Sequence, residues 1–297
     1  MTSTVLANNL SPSYLAQAPD EPLLAAITLP LAQLGSESLL EVWRARREPQ
    51  RGVANGITWA EDGETLFGSM AIDGGAIETM TRDVYARAIA FVRDAGYPFF
   101  LRMWNHVGSI NEHDDGRERY HLFCAGRHDA FLEAGYHLST DLPSASAVGM
   151  RGRGLMTYFI AARESGVQVE NPRQVAAYRY PPKYGPKSPS FSRATVFGET
   201  VFVSGTSSVV GHASVHMSDV EGQLDETLRN IEAVLARASN GGSLANVIAA
   251  KTYLRRAVDY PVVAKKLEGV FAQNIFLEAD ICRGELLLEI EAVALKR

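Results

Sequence analysis

Two carboxylates, Glu289 and Glu291, stand two apart in the run ELLLEIEAVALK, residues 285–296. Side chains alternate between the faces of a β-strand, so both acids share one face, here with Glu285 and Leu287. A carboxyl group held among Leu, Ile and Val has its charged form disfavoured, which raises its pKa and suits it to donate a proton. The same pattern also fits a strand whose acidic face meets water, and the residues leave both readings open. Cys282 precedes Glu289 by seven residues, in ADICRGELL. It reads either as a small buried apolar side chain or as a reactive thiol. Arg283 beside it, and Arg255 and Arg256 at the end of TYLRR, either lie at the surface or offer planar forks that grip a carboxylate. A further stretch, YRYPPKYGPKSPSFSRA (178–194), carries Arg179, Lys183, Lys187 and Arg193 and no acid, in a chain of net charge −5. Gly205, in VFVSG, is a place where a ligand can approach the backbone closely.

Composition removes several classes of function. A net charge of −5 and an isoelectric point near 5.8 argue against general nucleic-acid binding, which favours a basic surface. No apolar run reaches the roughly 18 residues of a membrane span. Residues 1–22 lack a basic stretch followed by an apolar core, so no secretory signal is expected there; they read as a loose tail or a docking strand. Two cysteines, Cys124 and Cys282, make neither a disulfide framework nor a zinc set, and a reducing cytoplasm is the expected compartment. The seven histidines show no HExxH-type spacing, so no metal is expected. The glycine-rich runs at 67–79 and 203–214 lack nucleotide-loop spacing and read as turns.

These side chains need elements to hold them. RATVFGETVFVSG (193–205) alternates around Gly198 and predicts a β-hairpin. Residues 218–239 carry helix-spaced apolar positions behind a Ser-Asp start and predict a helix, stopped by NGG at 240–242. A strand is expected at 247–256, a second helix at 260–274 and a last strand at 285–296. The order is β-β-α-β-α-β. The N-terminal half repeats it, with a strand at 64–75, helices at 81–96 and 120–135, and strands at 99–111 and 154–164. The expected fold is therefore α/β (α+β), two halves covering 1–165 and 166–297, each a mixed sheet backed by two helices. If Leu155–Tyr158 aligns with Leu286–Glu289, Tyr158 stands where the second copy has Glu289. Only one copy then carries the acid, and a single site on that copy is expected.

The C-terminal 110 residues or so resemble the Rid/YjgF family, through TVFGETVFVSG, QLDETLRNIEAVLA, KTYLRRAVDYPVVAKKLEGVF and LEIEAVAL. The chain as a whole is similar to the chorismatase family. That likeness rests on RMWNHVGSINEHDDGRERYHLFCAGRHDAF (102–131), VENPRQVAAYRYPPKYGPKSPSFSRA (169–194), VSGTSSVVGH (203–212) and ICRGELLLEIEAVA (281–294). It implies a cofactor-free enzyme that removes pyruvate from chorismate, with Glu289 protonating the enolpyruvyl methylene carbon. A cysteine at the spacing of Cys282 marks the branch that yields 3-hydroxybenzoate. The alternatives are hydrolysis to a dihydroxycyclohexadiene carboxylate, a mixed 3-/4-hydroxybenzoate synthase, and a Rid-type imine deaminase or non-catalytic binder. Chorismate is a dianion with an apolar ring, and Tyr184, Arg193 and Arg255 are the expected carboxylate binders, with Gly205 and Thr206 in the turn beside them. Lys187 stands where the family often has Arg, which puts a ligand role there in doubt. The resemblance implies a monomer or a Rid-like trimer, and no nucleic-acid or membrane partner.

Overall fold

The computed structural model describes residues 10, 12–17, 25–36 and 38–296. The chain opens with three short strands, β1 (Pro12–Leu15), β2 (Ala32–Leu34) and β3 (Leu40–Trp43). Of the expected tail or docking strand, Pro12–Leu15 docks against β3, and residues 1–9 lie outside the described residues. There follow β4 (Gln50–Ala54), β5 (Ile57–Glu61), β6 (Thr65–Ile72), α1 (Ile77–Asp94) and β7 (Phe99–Gly108). A short ladder of β8 (His113–Asp114) and β9 (Arg117–Glu118) leads into α2 (Arg119–Glu133), β10 (Ser144–Met150) and β11 (Leu155–Ala162). The second half holds β12 (Val167–Val169), β13 (Ala194–Phe197), β14 (Thr200–Thr206), the ladder of β15 (Val209–Val210) and β16 (Ala213–Ser214), and α3 (Val220–Ala238). It ends with β17 (Val247–Leu254), α4 (Tyr260–Leu267), β18 (Asn274–Glu278) and β19 (Leu288–Leu295).

The two halves build the same sheet. The first runs β10-β7-β11-β6-β5-β4, the second β18-β17-β19-β14-β13-β12, with β2 added beyond β18. In each sheet one outer pair is parallel, β10 with β7 and β18 with β17, and is joined through a helix. The pattern of alternation does not predict β10 or β18. SASAVGM in β10 is buried along six of its seven positions and shows no polar face. The second helix is shorter than expected: α4 ends at Leu267, and Gly269 turns the chain at φ +74°. Asp219 caps α3 by accepting from the Gly222 amide at 3.0 Å.

Helices α1 and α2 bury their apolar stripes on one face of the first sheet, and α3 and α4 do the same on the second. The opposite faces of the two sheets meet. Leu101, Trp104, Tyr158 and Ile160 from one pack with Phe202 and Val293 from the other. Burying an aromatic or aliphatic side chain of this kind contributes roughly 1.5–3 kcal/mol. On β19, Leu288, Ile290, Ala292 and Ala294 point to the helices, so Glu289 and Glu291 point into the layer between the sheets. Both acids are 4% exposed, so the water-facing reading of this strand is overturned. The strand begins only at Leu288, and Glu285 lies outside it, accepting from Ser214 Oγ at 2.7 Å.

Candidate active site

Where the sheets diverge they leave a cavity of about 700 Å³, part of it continuous with solvent. Glu289 forms its floor. Its Oε1 is buried and has no hydrogen-bond partner of good geometry among the described residues, with the Ser207 hydroxyl beside the carboxylate. Burial, and then the neighbouring Glu291, push its carboxyl up to about 8, against the opposing pull of Arg102 and Arg193. Gly205 on β14 lies directly against this carboxylate: a Cβ there would sit 2.0 Å from Oε1. The Gly205 amide donates to Ser146 Oγ at 3.1 Å, which ties β14 to β10 of the other half.

Three guanidinium groups line the walls. Arg193 stands one residue ahead of β13 and is 5% exposed. Its Nη2 donates to Val175 O at 3.0 Å and to the Tyr180 hydroxyl at 2.9 Å, while its Nε is buried without a partner. Arg127 enters from α2 in the first half, 1% exposed, and its Nε is likewise buried and unpartnered. It lies over the Phe123 ring at 4.9 Å. Arg283 donates to His212 O and Ser214 Oγ, both at 3.0 Å, and sits 4.1 Å over the Tyr184 ring. The proline-rich stretch folds as two 3₁₀ turns, Ala177–Arg179 and Pro182–Tyr184, which set Tyr180 and Tyr184 side by side at 5.4 Å. Tyr120 and Phe191 extend the aromatic lining.

Cys282 also lines the cavity, and burial, followed by the charge of Glu289, pushes its thiol up to about 12. It is a neutral, weakly polar wall rather than a thiolate nucleophile. Glu289, Cys282, Tyr184, Arg193 and Gly205 all line the cavity. Two expected residues do not join them. Thr206 turns its hydroxyl back onto Ser204 O at 2.8 Å and does not line the cavity. Arg255 spends its donors on Leu286 O, Asn111, Asp280, Ile281 O and Arg283 O, at 2.7–3.0 Å. A guanidinium has five N–H groups, so none is left for a ligand. Arg255 braces the loop ahead of β19 instead. Lys187 pairs with Asp129 at 3.6 Å.

The expectation of a site on the second copy alone needs correcting, because Tyr120, Arg127 and Ser146 all belong to the first half. Arg127 carried a usable signal: Phe123 and Phe131 lie four residues to either side, which puts the arginine on the apolar stripe of its helix. Among the described residues, no group of three or more His, Cys, Asp or Glu is placed to hold a metal ion, and no helix is long and apolar enough to cross a membrane.

A family model described as "Chorismatase FkbO/Hyg5-like, N-terminal" matches residues 41–161, and one described as "Endoribonuclease L-PSP" matches residues 186–296. A 3-hydroxybenzoate synthase of Streptomyces hygroscopicus is 38% identical over 281 residues, covering 88% of this chain and 82% of that protein. A chorismatase of the same organism is 36% identical, covering 86% of this chain and 79% of its own length. A chorismatase crystal structure superposes with a TM-score of 0.86 at 30% identity, over 96% of this chain and 98% of that one.

Proposed function

The chain belongs to the chorismatase family, and we propose from that premise that it converts chorismate to 3-hydroxybenzoate and pyruvate, with Glu289 as the general acid. The observation that carries this reading is the buried, unpartnered Oε1 of Glu289, on the floor of a cavity whose cations enter from both halves. Chorismate presents two carboxylates on an apolar ring. Arg127 and Arg193 each keep a buried N–H in need of an acceptor, and a carboxylate is the acceptor that suits a guanidinium fork. Tyr180, Tyr184 and Phe191 supply aromatic surface for the ring. One chain supplies both walls, so one copy holds a whole cavity.

The chemistry follows from the proton on Glu289. Its transfer to the enolpyruvyl methylene carbon leaves a cation stabilised by the ether oxygen. The ether bond to the ring then breaks, its electron pair stays on oxygen, and pyruvate leaves as a keto acid. The neighbouring ring hydroxyl attacks the carbon left behind, the bond from that oxygen to its original carbon breaks, and loss of the proton from the carbon that now bears oxygen completes the aromatic product. That proton is released to solvent, from which Glu289 is protonated again before the next turnover. The atoms of chorismate equal those of the two products, so no water is consumed. Hydrolysis to the dihydroxycyclohexadiene carboxylate is the second reading, and it requires a water at the cation. The test is to incubate the protein with chorismate and separate the products. Pyruvate and 3-hydroxybenzoate in equal amounts support the proposal; pyruvate with a non-aromatic partner replaces it by the hydrolytic reading, and no pyruvate overturns both.

Two substitutions probe the walls. Cys282→Ala opens space beside the acid, and water entering there diverts part of the flux to the non-aromatic diol; an unchanged product ratio reduces the cysteine to packing. Gly205→Ala places a methyl group 2.0 Å from Oε1 and 2.7 Å from Cδ of Glu289, so the carboxylate has to move. Displacing a reacting group by about 1 Å costs on the order of 100-fold. A kcat within threefold of wild type would show that the carboxylate position is not critical.

A further inference from the structure

Glu291 lies outside the cavity floor, but it is the most heavily bonded carboxylate between the sheets. Its Oε1 accepts from Trp104 Nε1 at 2.7 Å and lies 3.0 Å from Lys251 Nζ. Its Oε2 accepts from Arg102 Nη2 at 2.8 Å and from Ser146 Oγ at 2.5 Å. Burial alone would push this carboxyl up, but Lys251 and then Arg102 hold it down to about 2. Both cations are 3% exposed or less. Lys251 is shared with Glu41 at 2.7 Å and also donates to the Tyr158 hydroxyl at 3.0 Å. Two acids and two bases thus balance between the sheets, with Glu41 at the partly exposed edge. Ser146 connects this assembly to the catalytic floor, because the hydroxyl that donates to Glu291 also accepts from the Gly205 amide, and Gly205 abuts Glu289.

We propose that Glu291 is a positioning residue for the reaction: locked as an anion by Arg102 and Lys251, it acts through the protein to keep the proton on Glu289. This rests on the reading of Glu289 as the acid. The charges that face Glu289 are few. Arg102 comes from β7, Arg193 from the segment ahead of β13 and Glu291 from its own strand, while Cys282, from the loop ahead of β19, is neutral. Tyr253 is its cross-strand partner on β17, neutral because burial pushes its hydroxyl well up. His106, which burial pushes down to about 3, is neutral as well. Burial raises the Glu289 carboxyl most, and Arg102 and Arg193 pull against it. Glu291 supplies the opposing charge and occupies Arg102 at the same time.

The proposal has opposite signs on its two sides. Residues two apart on a strand are about 7 Å apart, and a unit charge at that range moves a partly shielded group by about one to two pH units. The experiment is the pH profile of kcat/KM with chorismate, which reports the free enzyme's acid. In the wild type the basic limb is expected near 8. Glu291→Gln leaves the assembly one positive charge in excess and moves the limb to lower pH by that amount. Glu291→Asp keeps the charge and restores the limb. Lys251→Met leaves a negative excess and moves the limb to higher pH, and it serves alone if the Gln variant does not fold. A limb that stays put in Glu291→Gln, or in Lys251→Met where that is the folded variant, overturns the role of Glu291. Full activity in Glu289→Gln instead removes the acid reading on which the role rests.

Discussion

Glu289→Gln is expected to lose about 100- to 10,000-fold in kcat, the usual contribution of a positioned general acid, while the folded protein becomes more stable in alkaline solution. Gln fills the same volume on the cavity floor but has no proton to give to carbon. The stability gain follows from the same burial that makes the acid useful. The Glu289 carboxyl is raised from its ordinary 4.5 to about 8. A raised folded-state pKa means that stability is fully present below about 4.5 and is lost progressively as pH rises through about 8. At about 1.4 kcal/mol for each pH unit between those two values, the wild type gives up on the order of 5 kcal/mol across that window. The Gln variant has no such group and keeps its stability. Thermal melts at pH 5 and pH 9 should therefore show a Tm difference that grows with pH in favour of Gln. A folded, active Gln variant takes the acid role from Glu289; a Tm difference independent of pH shows that the carboxyl is not protonated in the native state.

The second large effect is expected from the arginines that meet across the cavity. Arg127→Met and Arg193→Met should each raise KM for chorismate by about 30- to 4,000-fold, with a smaller change in kcat. Truncating one partner of a buried charge pair costs roughly 2–5 kcal/mol, at about 1.4 kcal/mol per tenfold. Each Nε is buried without a partner. Such a donor costs about 1–3 kcal/mol until an acceptor arrives. A substrate carboxylate removes that cost on binding. Lys at either position should recover little, since a point charge cannot reproduce the planar fork. KM values within threefold of wild type for both variants would mean that the carboxylates bind elsewhere, with Arg283 the next candidate on the wall.

How far the sequence could be read depended on what kind of signal each residue carried. The hairpin around Gly198, α3 and the last strand were legible because their apolar positions repeat with the period of one element. β10 and β18 were not, because SASAVGM is buried with no polar face and NIFLE is too short to show a period. Glu289 was legible because an acid among aliphatic residues is a local contradiction. Its environment was not, since whether β19 faced water or a second sheet depends on how the halves pack. The same limit explains Arg255 and Thr206. Their types suited a ligand, but side-chain direction is a tertiary property, and the structure turns both onto backbone carbonyls. Arg127, Tyr120 and Ser146 lie more than 50 residues upstream of the strands they face, and only the meeting of the two sheets brings them to Glu289.

In the proposed mechanism the acid on the floor of this cavity, exchanged with solvent, delivers its proton to the methylene carbon. Turnover of chorismate in D₂O, with pyruvate reduced to lactate as it forms to prevent later exchange, tests that step directly. The expected product methyl group carries one deuterium, and Glu289→Gln forms product about 100- to 10,000-fold more slowly. A methyl group without deuterium would mean that the hydrogen came from a carbon of the substrate ring, and would contradict the role given to Glu289.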